Sequence, residues 1–199
     1  MIEVRKATLA EAADITRIGR VVFADTFGHS VPGSELQAYL ESAYTVPLIS
    51  AELKDATKDI LVAIHHSESQ STNSDSANAE SGSKISTDDG VVVGFAQLTR
   101  GTSHTEPCVA KLPHAASSVE LQRLYVDMSH HGKGIGSRLA GAIEDIARRE
   151  GFTHMWLGVW EENKMAARVY AKLGYAGIGF HDFVVGSIVQ RDDILMKQL

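Results

Sequence analysis

The clearest chemistry in this 199-residue sequence is offered by a glycine-rich segment between an apolar run and a helical pattern. The apolar run ends in Leu124-Tyr125-Val126, and His131-Gly132-Lys133-Gly134-Ile135-Gly136-Ser137 follows it closely. Such a turn leaves backbone N–H groups unpaired at the positive end of a helix, where they bind anions. Glycine lets the backbone approach a phosphate without an intervening Cβ. The segment therefore predicts a site for a phosphorylated ligand.

Three classes of phosphate-binding turn share parts of this pattern, and two of them fail on particular residues. A P-loop needs Gly-Lys-Ser/Thr, but Gly134 follows Lys133, and Asp127 stands where the earlier glycine belongs. A dinucleotide-binding fingerprint needs a third glycine where Ser137 stands, and an acidic residue after a second strand about 20 residues later. On this segment alone, an ordinary strand-to-helix turn also remains open.

The third class is the pyrophosphate loop of the GNAT N-acetyltransferases, Arg/Gln-x-x-Gly-x-Gly/Ala. The segment His131-x-x-Gly134-x-Gly136 resembles this loop, with His in place of Arg or Gln. Residues 163–175 resemble the family's second motif, Asn-x-x-Ala-x-x-x-Tyr-x-x-x-Gly-Phe/Tyr. The two motifs in this order and at this separation favour the family over an ordinary turn. Within the superfamily the chain looks most like the PaiA-type spermidine/spermine acetyltransferases, on residues 2–7, 15–27, 120–126, 156–161 and 179–183.

This resemblance implies an α/β protein with the GNAT fold, a mixed, twisted central sheet of about six to seven strands with helices on both faces. It implies acetyl-CoA as co-substrate, with the pantetheine arm pairing against the freed backbone of a splayed central strand. The Val126 N–H is then the expected oxyanion donor, and residues 132–137 hold the pyrophosphate. The expected cofactor-binding residues are Leu124, Tyr125, Val126, His131, Gly132, Lys133, Gly134, Ile135, Gly136, Ser137, Asn163, Ala166 and Tyr170.

Two residues are expected to move protons. By its place in the second motif, Tyr170 would protonate the departing thiolate, and a tyrosine packed in the core is the alternative. Glu120 stands six residues before Val126, and the period of two along a strand predicts that both side chains share one face. Some family members carry a base here. The alternative for Glu120 is a carboxylate that only attracts a cationic substrate or pairs with Arg123 on a neighbouring chain.

The function implied is transfer of the acetyl group of acetyl-CoA to a primary amine, with spermidine or spermine as the expected acceptor. Carboxylates that could surround a polyamine, each of which could equally be a solvated surface charge, are Asp25, Glu35, Glu41, Glu161, Glu162 and Asp182. Trp156 and Trp160 alternate with Gly158 and could line an amine channel or pack in the core. The alternatives are another amine (a protein N-terminus, lysine, amino acid or antibiotic) and a non-catalytic acyl-CoA-binding protein.

Composition bounds the remaining possibilities. The length predicts a single domain over 1–199, and the net charge of −6 argues against a nucleic-acid partner. The chain shows no bilayer-length apolar run, no signal-like N-terminus and no metal-ligand spacing around its histidines. A lone cysteine, Cys108, fits a reducing compartment, so we expect a cytoplasmic protein with this thiol at the surface. A homodimer is possible by analogy with the superfamily.

Hydrophobic periodicity predicts alternating strands and helices. The capping box Thr8-x-x-Glu11 begins a helix that ends before a loop at 26–32. Further helices are predicted at 34–44, 47–57, 134–150 and 163–173, and strands at 2–7, 59–65, 91–101, 119–126, 153–159, 175–181 and 193–197. Residues 67–90 are rich in Ser, Asn, Asp and Glu and predict a disordered insertion between two strands. Residues 102–117 predict a loop.

Overall fold

The computed structural model describes residues 1–66 and 90–199, in which a seven-stranded mixed sheet carries helices on both faces. The strands are β1 (Ile2–Lys6), β2 (Lys58–His65), β3 (Val91–Thr99), β4 (Ser118–Val126), β5 (His154–Trp160), β6 (Ala176–Val185) and β7 (Ile188–Gln198). The helices are α1 (Ala12–Phe27), α2 (Gly33–Ala43), α3 (Val46–Glu52), α4 (Pro107–Ala110), α5 (Ile135–Arg149) and α6 (Lys164–Lys172). This architecture confirms the predicted α/β fold class.

The strands run in the order β1-β2-β3-β4-β5-β7-β6, and within this described sheet only β4 and β5 pair in parallel. One face is covered by α1, α2 and α3, around buried Ile15, Phe23 and Phe95. The other face is covered by α5 and α6. Helix α5 buries an apolar stripe formed by Ile135, Leu139 and Ile143, the last two fully inaccessible, because its apolar residues recur at helical spacing.

The start of α1 follows its sequence signal. The Thr8 side chain accepts from the Ala10 N–H, and the Glu11 carboxylate accepts from the Thr8 N–H, which confirms the capping box. A short 3-10 turn from Leu9 to Glu11 separates the cap from α1. The helix then continues to Phe27, through the start of the predicted loop, because Phe27 packs against Phe23 and Trp160.

Other boundaries also shift. Helix α2 begins at Gly33, one residue before the predicted start, and α3 begins after Thr45, whose side chain accepts from the Leu48 N–H. The predicted loop 102–117 contains α4, which packs against β6. This packing buries Cys108, so the prediction of a surface thiol was wrong: its Sγ lies 3.4 Å from the Phe180 carbonyl oxygen. The hairpin strands β6 and β7 are longer than predicted, because their mutual pairing compensates for a weak apolar alternation.

Strands β4 and β5 separate after a short paired stretch. They pair at three positions, the last being Glu120 opposite Trp156, although β4 continues to Val126 and β5 to Trp160. The remaining halves of these strands border a gap. This gap is the feature of the sheet that positions the candidate site.

A bulge in β4 changes which way its side chains point. Arg123 pairs with Gln97, whereas Leu121 pairs with the next residue of β3, so Gln122 is left without a partner. The side-chain alternation therefore shifts by one residue between Leu121 and Arg123. Val126 packs toward α5 and Glu120 points to the opposite face, so the prediction that both share one face was wrong.

The predicted disordered insertion lies outside the described residues, except for Gly90. On either side of it, β2 ends at His65 and β3 begins at Val91, and these two residues pair. The insertion at 67–90 stays a prediction from composition.

Candidate active site

A cavity of about 930 Å³ opens along the gap between β4 and β5. It brings together every predicted site residue except Lys133, whose side chain is exposed outside the lining. The lining includes Glu120, Leu124, Tyr125, Val126, His131, Gly132, Gly134, Ile135, Gly136, Ser137, Asn163, Ala166 and Tyr170. We call the part formed by the end of β4, the 131–137 turn and α6 the cofactor half. The part lined by Glu120, Trp160, His181 and Asp192 is the acceptor half.

The glycine-rich turn has the backbone conformation that its sequence requires. Gly132 and Gly134 have φ angles of 75° and 74°, a region that side-chain-bearing residues rarely adopt. A Cβ added at either position would meet open space, so conformation rather than crowding inside the protein demands glycine. The backbone N–H groups of residues 132–137 donate to no acceptor within the described ranges. They form a donor row at the start of α5 that suits an anion.

His131 occupies the position of the family's Arg or Gln but turns back toward the strand. Its Nε2 lies 2.9 Å from the carbonyl oxygen of Val126, so the tautomer with a hydrogen on Nε2 donates there. This contact fastens the turn to the end of β4. An anion bound at this turn would then meet the backbone amides rather than the Nε2 of His131.

The backbone of β4 presents donors to the gap. The N–H of Asp127 donates to the Val93 carbonyl on β3 at 2.8 Å. Because successive N–H groups of a strand point to opposite sides, the Val126 N–H points away from β3, toward the gap. This orientation is the one that an oxyanion donor or a pantetheine partner needs.

Asn163 and Ala166 lie where α6 begins. The Asn163 Oδ1 accepts from the Ala166 N–H at 3.0 Å and caps the helix. The Asn163 side chain also lines the cavity. The residue therefore fixes the start of α6, and its amide nitrogen remains the group suited to contact a ligand.

The position of Tyr170 is compatible with both interpretations of this residue, a proton donor and a tyrosine packed in the core. Its ring packs in the α5–α6 core, edge-on to Tyr175 at 5.8 Å, and the same residue lines the cavity. Within the described ranges its hydroxyl has no hydrogen-bond partner. Burial, with a smaller effect of Tyr125, raises the pKa of Tyr170. The hydroxyl therefore keeps its proton at neutral pH and can donate it.

The acceptor half lies on the opposite face of the sheet from Tyr170. Glu120 lies beside Trp156, and the register places Trp160, Asp192 and His181 in a row across β5, β7 and β6. Burial raises the pKa of Glu120, which forms no ion pair with any described residue. Within the chain, Arg123 binds Glu52 at 2.5 Å.

Asp192 is a site residue that sequence reasoning missed. Burial raises its pKa to about 6, against an opposing effect of His181. Its Oδ1 is buried without a hydrogen-bond partner, and its Oδ2 would lie 3.4 Å from a Cβ added at Gly158. The predicted last strand began at 193, so Asp192 fell in a loop. His181 was missed because nothing in its local pattern distinguishes it.

The predicted carboxylates scatter around the site. Asp25 and Glu162 line the cavity, whereas Glu161 and Asp182 line a neighbouring pocket of about 300 Å³ that shares Trp160 and Glu162 with it. Glu35 accepts from the Ser187 N–H, and Glu41 accepts from the Gln37 amide. Trp156 and Trp160 both line the cavity, and both are also buried, Trp156 within a hydrophobic core cluster.

No group of three or more His, Cys, Asp or Glu side chains among the described residues is arranged to hold a metal ion. No helix among them combines the length and apolar character needed to cross a membrane.

Comparison with known proteins assigns the family. The acetyltransferase (GNAT) family pattern matches residues 50–175, so the chain belongs to this family. It is an acyltransferase, an N-acetyltransferase of the GNAT type. An uncharacterised N-acetyltransferase from the pepI 3' region of Lactobacillus delbrueckii subsp. lactis is 24% identical over 198 residues, covering 100% of this chain and 98% of that one.

Solved structures share the fold. PaiA N-acetyltransferase from Thermoplasma acidophilum, in complex with coenzyme A, has a TM-score of 0.66 at 20% identity, covering 100% of this chain and 99% of that one. The structure of yncA from Salmonella typhimurium, with its cofactor acetyl-CoA, has a TM-score of 0.60 at 21% identity, covering 100% and 94%. These likenesses confirm the GNAT fold.

Proposed function

We propose that the protein transfers the acetyl group of acetyl-CoA to a primary amine, and that the acceptor is a polyamine such as spermidine or spermine. The observation that carries the cofactor assignment is the gap between β4 and β5, bordered by the outward N–H of Val126 and continued by unpaired amides at 132–137. A pantetheine arm suits the gap and a pyrophosphate suits the amide row. Two proteins of the same fold were solved with coenzyme A or acetyl-CoA.

The two faces of the sheet supply complementary catalytic groups. The amine reaches the thioester carbon from the acceptor half, and the Val126 N–H stabilises the developing oxyanion, a role typically worth about 2.7–4 kcal/mol. Glu120, directly or through a water, takes the proton that the nitrogen loses as the C–N bond forms. Tyr170, on the cofactor side, gives its proton to the sulfur as the C–S bond breaks. Positioning of the two reactants adds to these effects.

Several features of the acceptor half support a polyamine. Asp25, Glu120, Glu162 and Asp192 surround its cavity with carboxylates, and the Trp156 and Trp160 rings offer faces for cations. The chain's acidic balance has the complementary sign. A similar fold is found in PaiA N-acetyltransferase. We place the reaction in the cytoplasm, because the single cysteine has no partner for an intrachain disulfide.

The first test is thiol release from acetyl-CoA by the purified protein against a panel of amines. The panel contains spermidine, spermine, putrescine, lysine, a short peptide and an aminoglycoside. We expect the highest kcat/KM for spermidine or spermine. Preference for another amine would leave the proposed acetyl transfer in place and identify that amine as the acceptor. Acetyl-CoA binding without turnover on any amine would instead favour a non-catalytic acyl-CoA-binding protein.

A further inference from the structure

We propose that His181, oriented by Glu106, is a second proton acceptor of the active site and deprotonates the incoming ammonium group while Asp192 holds it. The proposal rests on the proposed function and adds a step to it. An ammonium nitrogen loses two protons in becoming an amide nitrogen, whereas Glu120 takes the one released during attack. A separate group must take the first proton, because a protonated amine has no lone pair for the thioester carbon.

The orientation of His181 follows from a buried carboxylate. Glu106, in the segment before α4, is only 6% exposed, and its Oε2 lies 2.7 Å from the His181 Nδ1. A carboxylate accepts hydrogen bonds, so Nδ1 carries the hydrogen and the neutral ring keeps its lone pair on Nε2. The Glu106 Oε1 accepts from the Cys108 N–H at 3.0 Å, which fixes the carboxylate itself. Glu106 is thus a positioning residue, and Nε2 is the free base.

The free nitrogen faces a place for an ammonium group. The His181 Nε2 and the Asp192 Oδ2 are 3.8 Å apart, and both residues line the cavity. One amine nitrogen at about 2.8–3.0 Å from each atom can donate to both at once. The Asp192 Oδ1 is buried and has no hydrogen-bond partner among the described residues, so nothing there compensates the carboxylate's charge. An ammonium group held at Oδ2 would supply that compensating charge.

The proton transfer balances within this group. An N–H bond of the ammonium breaks as the Nε2–H bond forms, and the resulting imidazolium lies between the carboxylates of Glu106 and Asp192. The neutral amine then carries the lone pair that attacks the thioester. Three carboxylates face His181 from other elements, those of Glu106, Asp192 and Glu120, and the Cys108 thiol lies against the adjacent residue Phe180.

The test compares pH profiles of kcat/KM for the best polyamine between wild type, His181→Gln and Glu106→Gln. A general base contributes about 10²–10⁴-fold, so we expect His181→Gln to lower kcat/KM about 100-fold at pH 7. The loss should shrink as pH approaches the amine's own pKa, because solution then supplies neutral amine. Glu106→Gln should lose about tenfold with the same recovery, since it disturbs only the orientation of the ring. The acetyl-CoA Kd should not change.

Exposed His104, two residues before Glu106, gives the matched control, and His104→Gln should behave as wild type. A His181→Gln rate equal to wild type, or a loss that stays the same at every pH, would overturn the proposal while leaving the transferase intact. If His181→Gln does not fold, the Glu106→Gln profile decides in the same way. Wild type without turnover on any amine would overturn the proposed function and this step with it.

Discussion

The two halves of the cavity are built from the chain in opposite ways. The cofactor half takes consecutive residues, with backbone amides from 132 to 137 and the end of β4 immediately before them. The acceptor half takes single side chains from distant strands, with Glu120 on β4, His181 on β6 and Asp192 on β7. A site formed by local backbone geometry produces a recognisable spacing of residues in the sequence. Side chains that come together from distant strands produce no such pattern.

The two halves of the cavity also depend on different physical properties. The cofactor half depends on conformation: two glycines with positive φ, a helix start and a strand separated from its neighbour. The acceptor half depends on burial, which raises the pKa of Glu120 and of Asp192. We therefore expect mutations in the first half to act on cofactor binding and thiolate departure, and mutations in the second to act on the amine and on pH dependence.

Removing the Tyr170 hydroxyl should have the largest effect. We expect Tyr170→Phe to lower kcat about 10²–10³-fold, because a positioned general acid contributes on that order. The acetyl-CoA Kd should change little, since the hydroxyl makes no hydrogen bond with described residues and the ring remains in place. Steady-state kinetics and calorimetry check the two quantities.

Tyr175→Phe is the matched control for this prediction. It removes another buried hydroxyl from the same core, one that donates to Glu144 rather than facing the cavity. We expect a modest loss of stability with a nearly unchanged kcat. Equal losses of kcat in both variants would show that core packing, not proton donation, explains the role of Tyr170.

The next effect concerns the glycine-rich turn. Gly134 has a φ of 74°, and a side chain there costs about 1–2 kcal/mol of backbone strain. Relief of that strain would turn the amide row away from its ligand. We expect Gly134→Ala to weaken acetyl-CoA binding about 5–30-fold, since about 1.4 kcal/mol corresponds to tenfold.

Gly151→Ala provides the control at the other end of the same helix. Gly151 has a φ of 85° and does not line the cavity, so the variant carries similar strain without touching the site. It should lower the free energy of unfolding by a similar amount and leave the acetyl-CoA Kd unchanged. Weakened binding in both variants would mean that the turn matters through the stability of α5 alone.

The sequence predicted most of the fold because the decisive signals are local. The capping box at Thr8, the stripe of α5 and the glycines at 132 and 134 act within a few residues of themselves. It failed where tertiary contacts override local pattern. Cys108 is buried because α4 packs on β6, and α1 extends because Phe27 packs against aromatic rings.

The candidate site shows the same limit within one strand. The period of two placed Glu120 and Val126 on one face, but the β4 bulge at Gln122 reverses the alternation between them. A bulge depends on the pairing with β3, which no single-strand pattern records. Glu120 still reaches the cavity because the gap beside β5 opens onto both faces. Asp192 and His181 could only be found once the register of β5, β7 and β6 was known.

The smallest effect we predict is one of stability, at Asp192. Burial raises the pKa of this carboxyl from 3.8 to about 6, so the folded protein binds the proton more tightly than the unfolded chain. The free energy of unfolding of the wild type therefore decreases as pH rises from about 4 to about 6, by at most about 1.4 kcal/mol per pH unit. Asp192→Asn cannot titrate there. Because the side chain is partly exposed, we expect the variant to be more stable than wild type by about 1 kcal/mol at pH 7, and equal at pH 4.

Denaturant unfolding at both pH values measures this difference, with Asp193→Asn as control. Asp193 is the next residue of β7, points to the other face and is 43% exposed at its side chain, so its replacement should not reproduce the pH-dependent gain. A stability difference that is the same at pH 4 and pH 7 would contradict a buried, charged Asp192.

A bound polyamine should offset this loss of stability, because it supplies the cation that Asp192 lacks. Spermidine should therefore stabilise wild type more than Asp192→Asn. The carboxylate would then be a group that costs the free protein stability and contributes it to the complex.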